Sequence, residues 1–301
     1  MKLTKATIFI PTKNAGKQFY QTLNQISKQR EKNFEVIIVD SGSTDKTLQI
    51  AENFKQKIPM RIYKIHPKEF GHGKTRNLSL KYARGKFIIF LTQDAIPLNN
   101  VWLSYLLSNF KDKKVAGVFS RQIANKKSMI TERFFYECYY PNKKIISPNP
   151  KNFFFENIFF SNVSSSIRKS VLKKFSFNES IIMCEDQDWA KRIINKGYKK
   201  IYEPKSIVIH LHNRNLNQTF QRFFDSTVSM KEITGDNFKE YLDYASANLL
   251  KEISYVLYNK PLLMPYLIVY DLAKITGTQF GIHNKRLPAF VKKQFSSHRD
   301  Y

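Results

Sequence analysis

Three nearly unbroken apolar runs constrain this chain more than any other feature. They cover residues 6–10, 36–39 and 87–91, and each gives way to a polar turn. Runs without alternating polar positions read as strands buried on both faces, as in parallel sheets covered by helices on either side. The segments between them carry helical spacing. Phe19, Leu23 and Ile26 fall at i, i+4 and i+7, and Leu48, Ala51 and Phe54 share one side of a second stretch that Ser43 or Thr44 can cap. Residues 61–65 read as a further strand and 74–83 as a helix. Strand-helix repetition with short links predicts an α/β domain with right-handed crossovers. In such sheets ligands sit at the carboxyl ends of the strands. Asp40 ends one strand and Asp94 follows another, so topology brings both to one edge.

Beyond residue 115 the pattern is mixed. Residues 159–167 read as one or two short strands, 185–195 as a helix, and 199–210 as two more short strands. After His212 the chain reads as helical. Leu216, Phe220 and Phe223 keep helical spacing, as do Phe238, Leu242, Leu249, Ile253 and Val256. With 301 residues the chain can bury one large core plus a helical appendage. The division falls near residue 214, giving a domain over 1–214 and a helical region over 215–301 for docking, packing or oligomerisation. No apolar run approaches the roughly 18 residues of a membrane span. The longest candidate, 262–269, contains Pro265. Residues 1–5 lack a secretory apolar stretch, and Cys138 and Cys184 have no metal or redox spacing. A reduced, cytoplasmic protein is expected.

The net charge of +26 has two readings. Abundant Lys, Asn, Ile and Phe fit compositional drift. The same charge also attracts anionic lipid or phosphate-bearing substrates. Lysines are spread along the whole chain and no nucleic-acid-binding motif is visible, so nucleic acid is not an expected partner. From Lys251 onward, Lys251, Lys260, Lys274, Lys285, Arg286, Lys292, Lys293 and Arg299 outnumber Glu252, Asp271 and Asp300 amid Tyr, Leu, Ile and Phe. Such a segment suits an anionic membrane surface, or helices packed on the α/β domain or a second subunit.

Several local motifs can carry chemistry. Asp40-Ser41-Gly42-Ser43-Thr44-Asp45 is either an ordinary strand-to-helix turn or a seat for a base and ribose. In Gly71-His72-Gly73-Lys74-Thr75-Arg76-Asn77, two glycines, two cations and a helix start favour an anionic ligand, although the spacing is not that of a Walker loop. Asp94 alone is a weak metal signal. His210 and His212 share a strand face, and one Asp, one His and phosphate oxygens would suit Mg²⁺ or Mn²⁺. In Glu185-Asp186-Gln187-Asp188, the acids offset the helix dipole and Asp188 can pair with Arg192. Asp186, read as the cap facing the sheet edge, is the candidate for proton chemistry. Trp189 and Ile193 read as core.

Together these runs resemble family 2 glycosyltransferases of the GT-A fold, and more narrowly the bacterial rhamnosyltransferase branch. The carriers are Pro11-Thr12-Lys13-Asn14, the Asp40 turn, the Gly71 to Asn77 run, Thr92-Gln93-Asp94-Ala95, Arg121-Gln122, Phe160-Ser161-Asn162-Val163-Ser164-Ser165, Glu185-Asp186-Gln187-Asp188-Trp189-Ala190 and His210-Leu211-His212. They stand in the family's order over residues 5–215.

The resemblance implies a Rossmann-like mixed sheet flanked by helices, with a C-terminal helical region. Pro11, Thr12, Asn14, Asp40 and Ser41 would hold the nucleoside. Lys74, Arg76, Gln93 and Asp94 would assist the donor. Asp94, with His210 or His212, would hold a divalent Mg or Mn ion, and Asp186 would be the base of an inverting transfer. The family's adjacent acids are replaced by Asp40-Ser41, and its multi-acid metal motif is reduced to Gln93-Asp94. In that branch this favours a deoxyhexose donor, dTDP-L-rhamnose over a UDP-sugar. The acceptor would be a bacterial surface glycan, in free or lipid-linked form, and the enzyme would sit peripherally at the inner face of the plasma membrane. Two other classes compete: a sugar nucleotidyltransferase, which normally shows a Gly-rich loop where Pro11-Thr12-Lys13-Asn14 stands, and a non-catalytic glycan-binding protein on the same scaffold.

Overall fold

The computed structural model describes residues 4–125, 127–152, 154–210 and 214–298. The chain opens with β1 (Ala6–Thr12), α1 (Gln18–Ser27), β2 (Phe34–Asp40), α2 (Thr47–Phe54), β3 (Met60–Lys64), α3 (His72–Tyr82) and β4 (Phe87–Leu91). β1 pairs in parallel with both β2 and β4, and β2 with β3. The apolar runs are buried on both faces for the expected reason. Ile8, Ile10, Val36, Ile38, Ile89 and Leu91 join α1 and α2 in one core, while Phe9, Ile37, Val39, Ile88 and Phe90 point into the other.

The chain continues through β5 (Ile96–Pro97), α4 (Trp102–Ser108), β6 (Val115–Ile123), α5 (Ile130–Tyr139), β7 (Ile145–Ser147), α6 (Phe154–Ile158), β8 (Ser164–Arg168), α7 (Lys169–Lys174), α8 (Glu185–Ile194) and β9 (Lys199–Ile209). The resulting nine-stranded mixed sheet runs β3-β2-β1-β4-β8-β6-β9-β5, with β7 also on β9. Where the sequence suggests two strands over 199–210, there is one, β9. It is parallel to β6 and its register breaks between Ser120 and Arg121, which face Glu203 and Ile207. Pro204 lies in that gap. Proline cannot donate to the ladder, so a bulge absorbs it and the strand resumes. β7 pairs with β9 before the gap and β5 after it. At 159–167 only β8 forms, antiparallel to β4 and β6.

Trp102 on α4 and Trp189 on α8 are fully buried on opposite faces of the sheet. Gly117 on β6 lies under Trp189. A Cβ there would stand 2.9 Å from the Trp189 indole and 3.0 Å from the Phe160 ring. This places the helix of the candidate base directly on the sheet.

The remainder is helical: α9 (Leu216–Thr234), α10 (Phe238–Asn259), α11 (Met264–Ile282) and α12 (Ala289–Phe295). α9 starts with a capping box in which Asn215 and Gln218 exchange side-chain and backbone hydrogen bonds. α9 and α11 pack closely enough that a Cβ on Gly277 would meet the Phe220 carbonyl at 2.5 Å. Among the described residues no helix is long and apolar enough to cross a membrane.

Candidate active site

A cavity of about 880 Å³ runs from the carboxyl ends of β1, β2 and β4, past the start of α8, to the C-terminal helices. At its first end Pro11, Thr12, Lys13 and Ser41 line the wall. Asp40 does not. Its carboxylate is 1% exposed and is occupied by its own turn. Thr12 Oγ1 donates to Oδ1 at 3.2 Å, Gly42 and Ser43 N–H groups donate to Oδ2 at 3.1 and 2.9 Å, and Ser43 Oγ donates to Oδ1. Gly42, at φ +89°, makes that turn possible. Asp40 therefore shapes the seat, and contact with a ligand falls to Ser41. Nor does Ser43 or Thr44 cap α2; the Asp45 carboxylate accepts the Thr47 N–H at 2.9 Å instead.

Asn14 also faces the turn, where its side chain accepts the Thr44 N–H at 2.8 Å and its own N–H reaches Ser43 Oγ. Lys74 is exposed on the outward side of α3 and does not line the cavity. Arg76, two residues on, turns inward and does. Gln93 exchanges two hydrogen bonds with the Lys13 backbone, at 2.8 and 3.1 Å, and so locks the end of β4 to the loop after β1.

Asp94 and His210 meet at the centre, with His210 Nε2 3.4 Å from Asp94 Oδ1. The imidazole is oriented from behind. Gln122 donates through Nε2 to Tyr140 Oη at 2.6 Å and Ser161 Oγ at 2.9 Å, which leaves its Oε1 to accept from His210 Nδ1 at 2.8 Å. A protonated Nδ1 puts the lone pair of Nε2 toward Asp94. One carboxylate oxygen and one imidazole nitrogen with a fixed tautomer fit Mg²⁺ or Mn²⁺, with phosphate oxygens and water completing the shell. Among the described residues no group of three or more metal-binding side chains occurs. His212 lies outside the described residues.

Asp186 sits in the first turn of α8, and the cap is Cys184, in left-handed conformation at φ +64°. The cap assignment for Asp186 is thus displaced by two residues, because a strained backbone, not a capping side chain, starts this helix. Asp186 accepts the Asn162 N–H at 2.9 Å and the Gln187 N–H at 3.0 Å. Burial, then the neighbouring Glu185 charge, raises its pKa from the ordinary 3.8 to about 7. Glu185 behaves oppositely. Burial alone would raise it, but Arg76 at 3.2 Å, then His72 and Asn162, hold it below the usual range. His72 is pushed down to about 4, first by burial and then by Arg76 and His298 against the pull of Glu185. The site thus holds a fixed Glu185–Arg76 pair beside a carboxyl poised to take a proton near neutrality. Asp188 pairs with Arg192 at 2.8 Å, and Trp189 and Ile193 are core, as the spacing suggests.

Two further residues reach the site without a sequence motif: Tyr136, whose hydroxyl lies 3.2 Å from His210 Nδ1, and Arg222 of α9, which lines the cavity. Neither belongs to a local motif, and only tertiary packing brings them in.

Fold and site together are those of a glycosyltransferase, and the chain belongs to glycosyl transferase family 2, whose profile matches residues 7–176. It is 34% identical to the O-antigen chain rhamnosyltransferase WbaN of Salmonella anatum, over 98% of this chain and 95% of that protein. It is 32% identical to the O-antigen chain rhamnosyltransferase RfbN of Salmonella typhimurium, over 99% and 96%. Its fold is similar to that of S. aureus TarS 1-349 (TM-score 0.57, 19% identity, 94% of this chain and 91% of that one). It is also similar to the mannosyltransferase PcManGT from Pyrobaculum calidifontis, solved with GDP-Man and Mn²⁺ (TM-score 0.65, 14% identity, 93% and 88%). The expected GT-A architecture and the rhamnosyltransferase-like resemblance are both borne out.

Proposed function

We propose that this protein is an inverting glycosyltransferase that moves a deoxyhexose, L-rhamnose from dTDP-L-rhamnose, to a hydroxyl of a bacterial surface glycan. The observation that carries the reading is Asp186, a carboxyl with a pKa near 7 at the middle of a cavity that joins a strand-end nucleotide seat to a second chamber. Whole-length relatives that are rhamnosyltransferases support the sugar. Pro11, Thr12 and Ser41 hold the nucleoside, Gln93 fixes their loop, and Arg76 lends positive charge to the donor. Asp94 and His210 hold a divalent ion, which when bound would offset the charge of the diphosphate. Asp186 removes the proton from the acceptor hydroxyl. That oxygen forms a bond to the anomeric carbon as the bond to the diphosphate breaks, and the nucleoside diphosphate leaves with the electron pair.

A lipid-linked acceptor gives the C-terminal helices a second task. Tyr258 and Leu262, at the turn between α10 and α11, are 90% and 94% exposed, and Leu250, Leu257, Ile268 and Leu272 are exposed nearby. Lys251 and Lys260 belong to the same segment. Apolar side chains flanked by cations suit peripheral docking on an anionic bilayer. Incubation of the protein with dTDP-L-rhamnose, UDP-sugars and GDP-sugars, with Mn²⁺ or chelator, tests the donor assignment by release of the free nucleotide. dTDP should be released fastest.

A further inference from the structure

The cavity extends past the donor seat to the C-terminal helices. At about 880 Å³ it reaches the upper end of the size range of pockets that hold one small ligand. Its far wall is built differently from its near one. Past Asp186 it is lined by Tyr139 of α5, Phe155 of α6, Phe159, and Tyr241 and Tyr244 of α10. These rings form a connected set. Phe155 lies 5.3 Å from Tyr241 and 5.2 Å from Tyr244, and Phe159 lies 5.7 Å from Tyr139. The set abuts Cys184, the cap of the helix that carries Asp186. Arg222 stands in the same cavity with Nη1 at 3.4 Å from Met183 Sδ, a weak acceptor that leaves the guanidinium available for a better one.

We infer that this aromatic chamber, walled by α10, is the acceptor subsite and that it takes a pyranose ring of the acceptor glycan. The inference rests on the glycosyltransferase reading and adds the part of the substrate that the C-terminal helices recognise. In an inverting displacement the attacking oxygen and the leaving diphosphate lie on opposite sides of the anomeric carbon. The acceptor must then approach from the side of the base, and the chamber packs against Cys184, two residues before Asp186. Its chemistry matches a sugar. The C–H faces of a pyranose carry positive partial charge and stack on the negative faces of aromatic rings. The hydroxyl rim meets Arg222, Ser226 and the tyrosine hydroxyls. An alkyl chain would strip those polar groups of water and give nothing back.

The test uses the full chain and two variants, Tyr241→Leu and Tyr244→Leu, which keep apolar bulk and lose the ring. Probes are methyl and octyl glycosides of galactose, glucose and mannose. Saturation-transfer NMR without donor reads sugar contact directly, and transfer from dTDP-L-rhamnose reads the acceptor KM. At least one methyl glycoside should give ring-proton saturation in the wild type. It should weaken at least tenfold in the leucine variants and be kept in Tyr241→Phe. dTDP-L-rhamnose should still raise the unfolding midpoint of every variant, which separates this inference from the donor assignment. Saturation unchanged in the leucine variants, no saturation from any methyl glycoside, or dependence on the octyl chain alone would overturn it.

Discussion

Asp186 and Glu185 are adjacent carboxyls in opposite electrostatic settings. Glu185 is paired with Arg76, whereas Asp186 accepts two backbone N–H groups and has the like charge of Glu185 beside it, against a weaker pull from Arg76. A base with a pKa near 7 is ionised above that pH, so turnover should fall as pH drops through 7. In Glu185→Gln the neighbouring charge is gone and Arg76 is free to favour ionised Asp186. The acid limb of the pH–rate profile should then move to lower pH, and an unmoved limb would separate the two groups. Stability has the reverse sign. A carboxyl raised from 3.8 to about 7 on folding withdraws stability as pH rises across that window. Asp186→Asn should therefore melt higher than wild type at pH 8 and with little difference at pH 4. Asp94→Ala should abolish the response of donor affinity to Mn²⁺ in calorimetry while leaving the urea midpoint nearly unchanged. An Mn²⁺ response equal to that of wild type would remove Asp94 from the metal site. At this scale the sequence was partly legible. Asp94, Asp186 and His210 reach one cavity as their strand and helix ends suggest. Asp40 does not, because its acceptors are filled by Thr12 across the sheet and by Gly42 and Ser43 of its own turn. Residue type alone cannot tell a carboxylate that shapes a turn from one that faces a ligand.

Elements were readable where a pattern was local. β1, β2 and β4 lie on unbroken apolar runs, and α1 buries the spaced Phe19, Leu23 and Ile26. β9 was not readable as one strand, because Pro204 looks like a terminator and only pairing on both sides of the bulge carries the strand past it. The chamber wall was hidden as well. Tyr241 and Tyr244 sit on an ordinary helical repeat, and their facing α6 is a consequence of how α9 and α10 fold back. Gly117 gives a direct test of how closely α8 seats on the sheet. In Gly117→Ala the new methyl meets Trp189 and Phe160 at 2.9 and 3.0 Å, and both rings are fully buried. Overpacking of this kind costs about 1–3 kcal/mol. Urea denaturation should show a loss in that range, with turnover reduced through displacement of Asp186. A neutral result would mean that α8 is not tightly held.

For the whole molecule, charge and shape act together. In the membrane docking proposed above, the net +26 would draw the protein toward anionic surfaces, and the exposed corner between α10 and α11 would supply apolar contacts. The protein should co-sediment with vesicles containing anionic lipid at low salt and detach as salt screens the attraction. Tyr258→Asp combined with Leu262→Asp should weaken that binding severalfold without changing donor affinity. Retention of full binding would assign the corner to another contact. The basic and aromatic content of this segment was visible in sequence, but its clustering at one exposed corner required the helices to be placed. Everything proposed above turns on sugar transfer with Asp186 as the base. The most direct test compares wild type and Asp186→Asn for transfer from dTDP-L-rhamnose, with donor binding measured by calorimetry on the same samples. The variant should bind donor within about threefold of wild type, while turnover falls by the roughly 10²–10⁴ that general-base catalysis supplies. Near wild-type turnover in the variant would contradict it.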